Sequence, residues 1–219
     1  MTRDTLREDL LELLFPTRCC FCRRLCGKGL PLCPACAEKY PDLAPAAQRQ
    51  SLTGLRACCS PLGYGGAVRD ALLRYKFRNL VAYAPVFGNF MRKCLDENGI
   101  SCDSITWVPL SRGRLRQRGY DQARLLAEEI AAAEGWPCEM LLVKQKELRP
   151  QSGMGGREAR RRNIAGAYRA ADPEQIKGKH ILLVDDIVTT GETIKECART
   201  LKAAGAASVT AVTAARKID

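Results

Sequence analysis

Residues 181–193 read Ile-Leu-Leu-Val-Asp-Asp-Ile-Val-Thr-Thr-Gly-Glu-Thr. The apolar run predicts a buried strand, and the two carboxylates predict its carboxyl edge, where open α/β sheets bind ligands. Carboxylates accept hydrogen bonds from vicinal hydroxyls and can help hold Mg²⁺. The Thr-Thr-Gly-Glu-Thr turn then opens a helix, whose free N–H groups and positive dipole end attract an anion. Thr189, Thr190 and Thr193 add hydroxyl donors, and Gly191 permits close backbone approach. Together these groups suit a sugar phosphate. A receiver domain also has an apolar strand ending in paired acids, but there the strand opens the domain; here 180 residues precede it. A well-capped helix after a strand with solvated acids is the bland alternative, and it leaves the threonines without a task.

A second chemistry lies near the N-terminus. Cys19-x₂-Cys22 and Cys33-x₂-Cys36 are two knuckles ten residues apart, each offering two thiolates on a tight turn. This spacing suits tetrahedral Zn²⁺, and four protein ligands leave no open position, so the ion's role is structural. Cys20 and Cys26 leave the register open, since Cys22-x₃-Cys26 is another pair. Free thiols or a redox Cys-x-x-Cys are the competing readings. Cys58, Cys59, Cys94, Cys102, Cys138 and Cys197 read as small apolar residues.

The elements that must position these groups follow from periodicity. Leu6, Leu10, Leu13 and Leu14 predict a short amphipathic helix ended by Pro16. Residues 40–53 read as a loose connection or short helix, and 67–77 have a helical rhythm. From residue 104 the pattern alternates strand and helix. Strands are expected at 104–109, 139–143, 166–169, 181–184 and 208–213. Helices are expected at 120–134 and from Ile194 to Leu201, closed by Gly205. Residues 111–119 read as an arginine-rich loop. The stretch 144–163, almost without apolar residues, reads as a functional or mobile loop.

Composition narrows the class. The chain has 219 residues, 46% of them apolar, and a formal net charge of +11. A basic balance suits polyanions without choosing among them. Arg112, Arg114, Arg116 and Arg118 form one cluster; Arg157, Arg160, Arg161 and Arg162 form another. No apolar run is long enough to span a bilayer, and the acidic residues among the first leucines do not resemble a secretory signal. The expectation is a cytoplasmic protein without membrane insertion.

The segment 181–193 resembles the 5-phosphoribosyl-1-diphosphate (PRPP) motif of type I phosphoribosyltransferases. The resemblance implies that Asp185 and Asp186, the catalytic candidates, contact the ribose hydroxyls. It places Val188, Thr189, Thr190, Gly191, Glu192 and Thr193 around the 5-phosphate, with Mg²⁺ on the diphosphate. Leu110–Arg112 resembles the diphosphate loop, and 144–163 resembles the hood that closes over the reacting centre. Arg112, Arg118 and Arg157 are candidate diphosphate contacts. The expected fold is α/β: a mainly parallel sheet flanked by helices over 57–219, with a small zinc-ribbon module over 1–56.

Four ordered motifs then resemble the ComF family: the cysteine knuckles, Leu-Leu-Arg-Tyr-Lys-Phe-Arg at 72–78, Pro-Leu-Ser-x₅-Gln-Arg-Gly-Tyr-Asp-Gln at 109–122, and the PRPP motif. That family is linked to natural competence, the uptake of single-stranded DNA. The resemblance implies PRPP, single-stranded DNA and competence-machinery proteins as partners. An active transferase, a DNA-handling protein and a PRPP sensor all fit it, and the acceptor substrate is not legible. Asp121 stands where the family commonly has Asn; a carboxylate there suits a helix N-cap or first turn.

Overall fold

The computed structural model describes residues 13, 16–27, 31–40, 43, 45–145 and 164–218. The expected N-terminal helix, apart from Leu13, and most of the hood, with Arg157, Arg160, Arg161 and Arg162, lie outside these residues.

The centre is a parallel sheet. Its strands β2 (Ala57–Cys59), β4 (Ser104–Trp107), β7 (His180–Val188) and β8 (Ser208–Arg216) lie in the order β2-β8-β7-β4. The short β3 (Leu62–Gly63) also pairs with β8 in parallel, and β1 (Arg49–Gln50) closes the edge antiparallel to β2. Ser60 between β2 and β3 is fully buried and shares a 2.7 Å hydrogen bond with Thr213 of β8. A separate antiparallel pair, β5 (Leu142–Lys144) and β6 (Tyr168–Ala170), stands beside the sheet.

β7 shows why the sheet is buried on both faces. Leu182 and Val184 join a core with the helices α3 (Gly66–Phe77), α4 (Ala84–Glu97) and α6 (Gln122–Glu134), while Ile181 and Leu183 join a second core with α7 (Glu192–Ala203) and the β5–β6 pair. Side chains alternate across a strand, so a continuous apolar run serves two layers. The expected face of α6 (Ala123, Leu126, Ala127, Ile130, Ala131) is buried against the first core. Each fully buried leucine or isoleucine there contributes roughly 1.5–3 kcal/mol.

Several expected boundaries move. The 111–119 segment is not a loop: Arg112–Arg118 forms helix α5, capped by Ser111 Oγ, which accepts from Arg114 N, and ended by Gly119 at φ 80°. β7 runs four residues past Val184, because β8 extends beside it to Arg216. The expected strand 139–143 shifts to Leu142–Lys144, and β6 begins at Tyr168. Within 40–53 lie the short α2 (Pro45–Gln48) and β1. α4, absent from the sequence expectations, buries Phe87, Met91 and Leu95.

Cysteine usage divides as expected. Cys58, Cys59, Cys94 and Cys197 are buried; Cys102 and Cys138 are half-buried. The knuckles sit against the sheet domain. Phe21, between the first knuckle's cysteines, packs on Phe87 and Phe90 of α4 and on Tyr40, which follows α1 (Pro34–Lys39).

Candidate functional site

The pairing of β4 with β7 ends at Trp107 and Val184; the last bond on that side runs from Val108 N to Val184 O. β4 turns away at Pro109 while β7 and β8 continue. Asp185 and Asp186 therefore face an opening at the carboxyl end of the sheet, where a cavity of about 220 Å³ lies. Both carboxylates line it, with Leu110, Asp121 and Gln122 on one side, Thr193 at the start of α7, and Lys144 and Tyr168 of the β5–β6 pair.

Asp186 forms an ion pair with Lys76 of α3, Nζ to Oδ1 2.9 Å, with both side chains largely shielded from water. Asp185 Oδ1 accepts a 2.8 Å hydrogen bond from Asp186 N. Burial, and next the negative charge of Asp186, push the Asp185 carboxyl up to about 8, against the opposing pull of Lys76. One face of the cavity is thus acidic and reluctant to carry two charges; the other is cationic. Arg114 and Arg118 of α5 line it as well, and Lys144 stands 5.2 Å from the Tyr168 ring centroid. Burial, with Arg114 second, lowers the Lys144 ammonium from its ordinary value.

The loop 188–193 is shaped by Gly191. It is the N-cap of α7, at φ 73°, and supplies no side-chain acceptor to the helix's first N–H groups. A Cβ here would stand 2.8 Å from Leu52 Cδ1 and 2.9 Å from Leu52 Cδ2, besides the strain of a left-handed backbone. Thr193 reaches the cavity; Thr189 is exposed and Thr190 half-buried. Val188 is buried in the sheet core. Glu192 is buried, with its carboxylate 2.9 Å from Lys195 Nζ.

Of the predicted arginines, Arg118 lines the cavity, while Arg112 is exposed on the first turn of α5. Asp121 is the N-cap of α6: Oδ1 accepts from Arg124 N at 3.3 Å and Oδ2 from Leu110 N at 2.9 Å. It therefore ties the turn after β4 to the helix. Gln122, 1% exposed, lines the cavity with neither amide atom hydrogen-bonded among the described residues.

Sequence reasoning missed Lys76, Arg114, Gln122 and Lys144 as site residues. For Lys76 there was a signal: it stands four residues after Leu72, on the apolar stripe of α3 that also buries Val68 and Leu72. A lysine on a buried stripe needs a partner. Gln122, beside buried Ala123 at the start of α6, carried a similar one.

At the N-terminus the structure brings Cys19, Cys22, Cys33 and Cys36 together, their sulfur atoms all within 4.8 Å of one another; Cys20 and Cys26 are not in the group. Cys22 Sγ and Cys33 Sγ are 3.7 Å apart. A tetrahedron with Zn–S bonds of 2.3 Å has edges of about 3.8 Å, so the set fits the ion. Cys33 N donates to Cys19 Sγ at 3.5 Å, as expected for a sulfur that carries negative charge. Arg74 of α3 binds this module to the domain: its Nη2 donates to Cys20 O at 2.8 Å and Phe21 O at 3.2 Å.

The phosphoribosyl transferase domain family matches residues 119–219. The chain is 28% identical over 200 residues to the DNA utilization protein YhgH of Salmonella typhimurium strain LT2, covering 87% of this chain and 86% of that protein. Its likeness to the YhgH protein of Escherichia coli O157:H7 is 36% over 109 residues, 49% of this chain and about half (46%) of the relative's length. The competence protein ComFC of Streptococcus pneumoniae strain R6 is 32% identical over 151 residues, 67% of this chain and 62% of that protein. No helix among the described residues is long and apolar enough to cross a membrane.

Proposed function

Because the chain belongs to the ComF/YhgH family and carries its phosphoribosyltransferase domain, we propose that it binds PRPP over the carboxyl end of the sheet and acts in the handling of single-stranded DNA. The observation that carries the PRPP reading is one cavity in which three carboxylates, the start of α7 and four cations converge. The 5-phosphate lies at Val188–Thr193, where the uncapped first turn of α7 and the Thr193 hydroxyl donate. Asp185 and Asp186 accept from the ribose hydroxyls. The diphosphate is held by Lys76, Arg114 and Arg118, with Arg112 and Arg157 as further contacts from the neighbouring helix and the hood.

Mg²⁺ bound to the diphosphate supplies charge neutralisation as that group develops negative charge. The protein's own part is to orient the ribose and to offer cations that are already in place. The Cys19, Cys22, Cys33 and Cys36 set holds Zn²⁺ as a structural ion. The DNA part of the reading rests on the relatives' names together with the basic balance of the chain.

Calorimetric titration with PRPP and Mg²⁺ tests this. Asp185→Asn combined with Asp186→Asn should weaken binding by at least tenfold while the protein stays folded. Undiminished affinity in the folded double variant would overturn the site. Release of diphosphate, followed in the same samples, separates an enzyme from a sensor.

A further inference from the structure

A second, larger cavity of about 670 Å³ shares a wall with the first. Lys76, Arg114 and Arg118 line both. What is new is its outer half. α3 ends at Phe77; Arg78 caps the helix, its N–H donating to Arg74 O, and Asn79 takes φ 53°. Asparagine tolerates this left-handed position better than most residues, and it reverses the chain there. Phe77, Arg78 and Asn79 thereby come to line one cavity with Gln117 and the α5 arginines.

Three features distinguish this cavity from an ordinary basic surface. Its charged lining is entirely cationic among the described residues, while the first cavity contains three aspartates. Phe77 leaves 63% of its surface in water, with the Arg118 guanidinium 4.7 Å from its ring centroid. An arginine stacked on a phenyl ring is a common surface pair, but here it lies in a concavity of the size that ligands occupy. Finally, Asn79 and Gln117 add carboxamides, which donate and accept side by side.

An aromatic ring, amide groups and a cluster of guanidinium groups complement three parts of one molecule: a flat heterocycle, its hydrogen-bonding edge and a phosphate. We infer that this second cavity binds a nucleotide, with its base on Phe77 near Asn79 and Gln117 and its phosphate on Arg78 and Arg114. The inference deepens the strand-handling part of the proposed function. It rests on that reading for the source of the nucleotide, and on the cavity's own chemistry for the site.

The test uses the full-length, zinc-loaded protein and two probes: a labelled oligothymidylate of about twelve nucleotides, within the span of known single-strand sites, and free thymidine monophosphate. Phe77→Ala should lower oligonucleotide affinity about tenfold, and Phe77→Trp should restore it, because stacking tolerates any aromatic face. Arg78→Gln should reduce the slope of log affinity against log salt by about one. Arg78 does not line the first cavity and makes no contact with its lining among the described residues, so the PRPP affinity of Arg78→Gln measured alongside stays at the wild-type value. If wild-type protein fails to bind PRPP, the neighbouring reading fails and this one still stands on the oligonucleotide result. Equal sensitivity of the monophosphate to Phe77→Ala identifies a free nucleotide as the ligand, and sensitivity of the oligonucleotide alone identifies a strand. Wild-type affinity in both Phe77→Ala and Arg78→Gln, or no binding of either probe, would overturn the inference. Phe77 is exposed, so unchanged thermal melting confirms that the variants are folded.

Discussion

Replacing Lys76 with methionine removes the ammonium 2.9 Å from Asp186 while keeping most of the side-chain volume. The two side chains are 19% and 11% exposed, so this pair sits well below the surface. At an effective dielectric constant of about 20, unit charges about 3 Å apart attract by roughly 5–6 kcal/mol. Desolvation of both ions takes back much of that, so the net worth of the pair is small compared with the cost of breaking it. Removing one partner leaves the other charge without its mate and costs about 3 kcal/mol. In a chain of this size, that lowers Tm by roughly 6–12 °C. Asp186→Asn should cost a similar amount, and the double variant should lose much less than the sum, giving a coupling of about 1–3 kcal/mol. Urea denaturation of the four proteins measures the cycle. Two single variants as stable as wild type, or effects that simply add, would refute the claim that these residues hold α3 to the end of β7.

Two further predictions concern stability. Asp185 has a folded-state pKa raised to about 8 by burial and by Asp186, so its favourable contribution is present below about pH 4 and is lost as pH rises toward 8, with a slope of at most about 1.4 kcal/mol per pH unit; Asp185→Asn should flatten the stability profile over that window, and parallel wild-type and variant profiles would sink the assignment. Chelation of zinc, or Cys33→Ser, should lower Tm by several degrees and loosen the Phe21 contacts, measured by melting and by fluorescence of a probe at the module; native protein that contains no zinc would reject the metal site.

The legible parts of the fold were those whose role is decided by local pattern. The run Ile181–Val184 could only be buried on both faces, and it is. The α6 stripe has helical spacing and packs as its spacing requires. Matching Cys-x₂-Cys spacings distinguish the four gathered sulfurs from Cys20 and Cys26. α5 was not legible because it has no apolar face: none of its residues is buried, and Leu115 is 42% exposed. Its ends hold it, through the Ser111 cap and Gly119, rather than a core. α4 received no sequence expectation, although Pro85 stands at its start, where proline is tolerated, and Phe87, Met91 and Leu95 fall at helical spacing. At Gly191 the sequence suggested close approach to a phosphate; the structure adds a second reason, the Leu52 side chain packed where a Cβ would go. The approach of a residue so distant in sequence cannot be read from a local motif.

The same limit applies to the last turn of α3, where the molecule's parts meet. Arg74 donates to the carbonyls of Cys20 and Phe21. Tyr75, fully buried, packs on Phe87 and Tyr120, and its hydroxyl donates to Gln122 O at 2.9 Å. Lys76 pairs with Asp186, and Phe77 carries Arg118 over its ring. Successive helical residues point about 100° apart, so four in a row face almost every direction. A basic, partly aromatic tetrapeptide reads as a solvated face only if the helix has one neighbour; here it has five. The cysteine knuckles, α4, the α6 start, the acidic pair and the arginine helix all meet this single turn. Arg74, bonded to the knuckle, and Lys76, paired with a carboxylate at the end of β7, stand two residues apart on this turn.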